Sequence, residues 1–251
     1  MAKQTGLGDN LYVGGYNLSG DIGSLGRIGG GPNLLEITGI DKSAIERAGG
    51  VRDGGIDFNA FFNKAAGQEH PVLSALPTTD VLVTYFRGTT IGNPAASLNA
   101  KQVNYDPTRP ADGSFTIDVS AVANSYGLEW GHQLTPGVRT DTGATAGAVQ
   151  SATGATSLGL QAYLHVFSFT GTDATITVQE SSAVDGGGDA FANVVGGGFT
   201  QVVTAPVTER IATATNLAVE RYLKVTTTTS AGFTSMGFTV MVVRNQTTPV
   251  F

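Results

Sequence analysis

Three histidines, His70, His132 and His165, are the first places to look for metal or acid–base chemistry. None has a second ligand at the spacing that a zinc site such as His-Glu-x-x-His requires. His165 sits in an alternating apolar segment and reads as a strand residue, and His132 follows Trp130-Gly131 in an expected turn. Ala123-Asn124-Ser125-Tyr126-Gly127 approximates a nucleophile elbow without its first glycine. That elbow needs a helix after the serine, whereas Gly127-Leu128-Glu129-Trp130-Gly131 reads as strand and turn. Gly20-Asp21-Ile22-Gly23-Ser24-Leu25-Gly26 precedes no amphipathic helix that could cradle a phosphate. Asp185-Gly186-Gly187-Gly188-Asp189 offers two hard carboxylate ligands, but calcium takes roughly six or more oxygens, so a solvated hairpin loop is the better reading. The pairs Glu36/Asp41 and Asp53/Asp57 carry no signature of general acid–base work. No catalytic residue, metal ligand or cofactor is assigned, and the expectation is a protein that is not an enzyme.

Composition points the same way. The 251 residues carry 14 Lys and Arg against 20 Asp and Glu, a net charge of −6, and only 14% are charged against about 25% in an average soluble protein. Neutral surface is cheap to desolvate and suits a subunit covered by neighbours. No cluster of four or more Lys and Arg occurs, so gripping nucleic acid is disfavoured while enclosing it is not. Cysteine is absent, which removes disulfides and thiolate chemistry. The start, Met1-Ala2-Lys3-Gln4-Thr5-Gly6, lacks the apolar run of a signal peptide. Apolar stretches such as Val240 to Val243 fall far below the ~20 residues that span a bilayer. A protein made in a cytoplasm, with no membrane partner, is expected.

The elements behind these residues are mainly β. Ile56, Phe58, Ala60 and Phe62 share one face of a strand, as do Phe115, Ile117, Val119 and Ala121. Val81 to Phe86 is a continuous apolar run suited to a strand covered on both sides. Leu160 to Phe169, Ala174 to Gln179, Tyr222 to Thr227 and Phe238 to Val243 complete the set. Ser43-Ala44-Ile45-Glu46, stopped by Gly49-Gly50, predicts one short helix, and Pro71 to Leu76 another turn of helix. Residues 1–34 form a glycine-rich N-terminal stretch that still carries many apolar side chains. Two readings stay open for it: an irregular segment on its own domain, or an arm on a neighbouring subunit. In the second, Leu7, Leu11, Tyr12, Tyr16, Leu18 and Ile22 make the self-assembly contact. The small, nearly uncharged residues 139–157 read as a linker or long loop between a first β domain (35–138) and a second (158–251).

The stretch Leu35-Glu36-Ile37-Thr38-Gly39-Ile40-Asp41-Lys42-Ser43-Ala44-Ile45-Glu46-Arg47, followed by Gly50-Val51-Arg52-Asp53-Gly54-Gly55-Ile56-Asp57-Phe58, resembles the major tail proteins of long-tailed phages. Val83-Thr84-Tyr85-Phe86-Arg87-Gly88, Tyr105-Asp106-Pro107-Thr108-Arg109, Phe169-Thr170-Gly171-Thr172-Asp173-Ala174 and Glu220-Arg221-Tyr222-Leu223-Lys224-Val225 are similar in the same way. The chain departs from some relatives in lacking an immunoglobulin-like C-terminal pattern with a buried tryptophan. The resemblance implies a tail-tube-like β-sandwich or barrel with one short helix, plus a second β-sandwich-like half. It implies a virion protein assembled in the host cytoplasm into rings, taken as hexameric, that stack into a hollow tail tube. Partners implied are copies of itself and other tail proteins, with double-stranded DNA passing through without specific binding. A capsid decoration protein and a carbohydrate-binding sandwich of a fibre are the competing readings.

Overall fold

The computed structural model describes residues 5–247; residues 1–4 of the start and residues 248–251 of the second half lie outside it. In chain order the described elements are β1 (Asn10–Val13), β2 (Tyr16–Asn17), β3 (Ile22–Glu36), β4 (Arg47–Phe61), the short helix α1 (Glu69–Leu73), β5 (Val81–Phe86), β6 (Pro94–Gln102), β7 (Asp106–Thr108) and β8 (Thr116–Ala123). They continue as β9 (Glu129–Gln133), β10 (Arg139–Asp141), β11 (Thr145–Ala146), β12 (Gln150–Ser151), β13 (Leu160–Thr170), β14 (Ala174–Ser181), β15 (Ala192–Gly198), β16 (Val207–Ala212), β17 (Tyr222–Thr229) and β18 (Ser235–Arg244). The class is mainly β, as expected, with every pairing antiparallel and no closed barrel.

One sheet of thirteen strands runs through both halves, and a second of five strands covers part of it. The large sheet forks at β6. On one side β5 pairs with β6 along its whole length. On the other, Pro94 to Ser97 pair with β9 while Ala100 to Gln102 pair with β8. One branch continues through β8 to β4 and β3, the other through β9 to β18, β13 and β16. A β-strand has two edges, so the fork requires successive stretches of one edge to serve different neighbours.

Three apolar clusters follow from this layout. In the first half Leu11, Val13, Phe58, Leu98, Ile117 and Val119 pack together. In the second half Leu160, Leu164, Phe238 and Val240 of the large sheet meet Ile176, Val178, Leu223 and Val225 of the small one, about the layering of a β-sandwich. A third cluster joins Tyr12, Leu82, Phe86 and Ala95 to Tyr163 and Met241, across the two halves. Residues 160–166 are therefore buried on both faces, which explains their near-continuous apolar run.

Two local expectations changed. Residues 43–49 form no helix. Thr38 Oγ1 accepts the Glu46 N–H at 3.0 Å and the Ile37 N–H reaches the Glu46 carbonyl, so the β3–β4 ladder continues where a costly helical nucleus was forecast. Residues 139–157 are not free chain: β10 pairs with β18, and β11 and β12 pair with β17. Their small Thr, Ala and Ser side chains fit a sheet edge as well as a loop. The turn of helix forecast at Pro71 to Leu76 is present slightly earlier, as α1.

Candidate self-assembly surface

The β3–β4 hairpin leaves the body of the molecule. β4 pairs with β8 only from Gly55 to Phe61, while Arg47 to Gly54 pair with β3 alone. Among the described residues the outer edge of β3 has no strand beside it, and Pro32, which cannot donate to a ladder, lies on that strand. An unsupported two-stranded ribbon is marginal in water. This one also holds its apolar side chains in solvent: Leu34 is 69% exposed, Ile40 fully, and Val51 77%, with Leu35, Ile37 and Ile45 also exposed. Apolar groups gathered on one protruding element mark an interaction surface.

Glycines fix where this arm departs. A Cβ on Gly54 would lie 2.6 Å from the Leu128 Cβ, and one on Gly30 would collide with the Asp53 carbonyl on the opposite strand. At this crook the arm and the turn after β8 enclose a half-open cavity of about 330 Å³, lined by Gly50, Val51, Arg52, Ser125, Tyr126, Gly127 and Glu129. Ser125 stands in the left-handed region at φ 69°, a strain that persists only where the surroundings impose it.

The cavity floor is held by a buried ionic group. The Glu129 carboxylate accepts the Tyr163 hydroxyl and lies 3.1 Å from Arg210 Nη2, while Arg210 Nε donates to the Tyr163 oxygen at 3.0 Å. The guanidinium also stacks 3.8 Å from the Tyr126 ring centre, a cation–π contact. Burial first, then the Glu129 charge, pushes the Tyr163 phenol far above its ordinary range, so it stays a donor.

None of the three histidines lines this cavity, so Ser125 has no imidazole base. His70 Nδ1 lies 2.8 Å from the Tyr105 hydroxyl, and His132 lies exposed on β9, not in the expected turn, with its pKa lowered by partial desolvation and then by the Arg244 charge. His165 is fully buried: Nδ1 accepts the Gly15 N–H at 3.3 Å, and Nε2 lies 2.8 Å from Thr84 Oγ1. Asp185 and Asp189 each accept a backbone N–H of their own loop, from Gly187 and Ser182. Asp53 accepts the Gly54 N–H and Asp57 the Ser120 hydroxyl; Asp41 pairs with Lys42 at 3.7 Å. Among the described residues no group of three or more His, Asp or Glu is placed to hold a metal ion, and no helix is long and apolar enough to cross a membrane.

Of the six N-terminal residues considered for self-assembly, Leu11, Tyr12 and Leu18 are buried in the chain's own core, and Tyr16 and Ile22 pack against it. β1 is an inner strand of the large sheet between β2 and β5, which is why its side chains turn inward. Leu7 alone remains largely exposed, at 88%. A group of exposed aliphatic residues close in sequence lies instead between Leu34 and Val51.

No protein-family model matches the chain, and no curated protein matches it. Among solved structures it is similar to the Dit protein of phage SPP1, described as a paradigm of hub adsorption apparatus in phages that infect Gram-positive hosts. The identity is 14% and the TM-score 0.31, over 94% of this chain and 99% of that one. It is also similar to chains of the phage p2 baseplate in its activated conformation, with Sr at 8% identity and with Ca at 9%, each at TM-score 0.31 over 94% of this chain and 98% of the other. Likeness at that level carries no argument about fold or function.

Proposed function

We propose that this chain is a structural, non-enzymatic virion protein of a phage tail, which assembles with copies of itself into stacked rings that form a hollow tube for DNA. The observation that carries this reading is the β3–β4 arm, a ribbon with a free edge and solvent-exposed aliphatic side chains. Such an element is stable only when something covers it. A head-to-tail contact made by it closes into rings or continues as a filament. Low charge density and the tail-protein resemblance of residues 35–58, which include most of the arm, support the same reading. An acidic balance leaves a bore that repels rather than holds the phosphate backbone.

The test is negative-stain microscopy with sedimentation of the purified chain. Rings or tubes are expected. Replacing residues 33–51 by Asn-Gly, a two-residue turn that joins the paired Pro32 and Arg52, leaves the thermal transition of the body and abolishes assembly. An intact chain that stays monomeric at high concentration would overturn the proposal.

A further inference from the structure

We propose that the tip of the arm, Ile40 and Asp41, seats in the cavity at the base of a second copy's arm, with Ile40 against Val51 and Tyr126 and Asp41 on Arg52. This rests on the self-assembly reading and names the contact that performs it.

The tip is a tight turn, closed by the Lys42 N–H on the Gly39 carbonyl at 3.1 Å, and it presents Ile40 fully to solvent. A neutral aliphatic group beside a carboxylate is the shape of the knob. The cavity is its complement: Val51 and the Tyr126 ring supply apolar wall, and Arg52 supplies the cation. The Arg52 side chain is exposed and its guanidinium makes no hydrogen bond or ion pair among the described residues. Residues 36–47 carry Glu36, Asp41 and Glu46 against Lys42 and Arg47, so the tip keeps a net negative charge, and in the cavity lining Glu129 is already paired with Arg210, which leaves the Arg52 guanidinium as its cation. Opposite charges at a rim set orientation and encounter rate more than affinity, and burial of Ile40 adds the apolar part.

The tip cannot fill its own cavity. The paired ladder runs from Pro32, the register partner of Arg52, to Glu36, about 13 Å at ~3.3 Å per residue, and Ile40 lies four residues further on. The ribbon itself holds the two apart. Knob and cavity are made of different residues, so the contact is heterologous and each copy offers one of each.

The cysteine-free sequence makes the test clean. Lys42→Cys at the tip and Ser125→Cys in the cavity both change exposed residues. Oxidising an equal mixture of the two single variants gives a dimer band on a non-reducing gel, and the double variant gives a ladder. Lys42→Cys mixed with Gly143→Cys, an open position on another loop, stays monomeric on the gel. In parallel, Asp41→Lys and Arg52→Glu each raise the concentration needed for assembly by about tenfold, and the two combined in one chain restore it. If microscopy shows rings or tubes but the Lys42/Ser125 mixture fails to cross-link, or the Gly143 control cross-links equally, this contact is wrong and self-assembly stands. If no assembly forms at all, both proposals fall.

Discussion

His165 shows how much one side chain can fix. The Gly15 N–H can only donate, so Nδ1 accepts and the proton sits on Nε2, which donates to Thr84 Oγ1. Thr84 then donates to Ser97 Oγ, 2.7 Å away, and Ser97 to the Val83 carbonyl. Every member is buried and satisfied, and the chain ties β13 to β5 and β6. The imidazole has no anion to offset its burial, which lowers its pKa to about 3. An unfolded chain binds this proton near 6.5. The contribution of neutral His165 is therefore complete above about pH 6.5, and is lost as pH falls from there toward 3, by about 1.4 kcal/mol per unit. Denaturant unfolding between pH 7.5 and 4.5 should show His165→Gln with a shallower pH slope than the parent, by close to one proton. Equal slopes would refute the assignment. The sequence marked His165 as a strand residue and no more; a donor 150 positions away leaves no trace in local spacing.

At the scale of elements, alternation located the strands well, because a half-covered sheet writes its burial into every second residue. Val81 to Phe86 and Leu160 to Phe169 were legible even without alternation, as runs covered on both faces. The helix expected after Ser43 failed for the opposite reason: its capping pattern is local, whereas the β3–β4 ladder that replaced it is set by pairing across the hairpin. The arm was invisible as a surface, since exposed and buried aliphatics look alike in sequence. The fork at β6 was equally hidden, and it makes Gly131 a specific test. Gly131 lies on β9 against β6, and a Cβ there would collide with the Val242 carbonyl of β18. Gly131→Ala is expected to destabilise the fold by about 2–3 kcal/mol through overpacking. Gly143→Ala, with nothing within 4 Å of the added carbon, should leave chemical unfolding unchanged.

For the whole molecule, the question is whether the halves on either side of residues 139–157 are separate bodies. Composition suggested a linker, but the strands answer differently: the large sheet passes from β6 through β9 into β18, and β10 to β12 lace the intervening stretch onto the second half. The third apolar cluster seals the junction, with the Tyr12 ring edge-on to Phe86 at 5.3 Å and Tyr163 and Met241 completing it from the other side. Beside it the Glu129–Tyr163–Arg210 group joins β9 to β13 and β16. Removing one partner there strands a buried charge, so the halves cannot part without large cost. Calorimetry of the arm-truncated chain, which avoids melting an assembly, should therefore show one transition with equal calorimetric and van't Hoff enthalpies. Met241→Ala should lower that single transition by about 2–5 kcal/mol without splitting it. Two resolved transitions, with the mutation moving only one, would mean that the continuous sheet is a contact between independent domains, and the arm would then be anchored to the first of them alone.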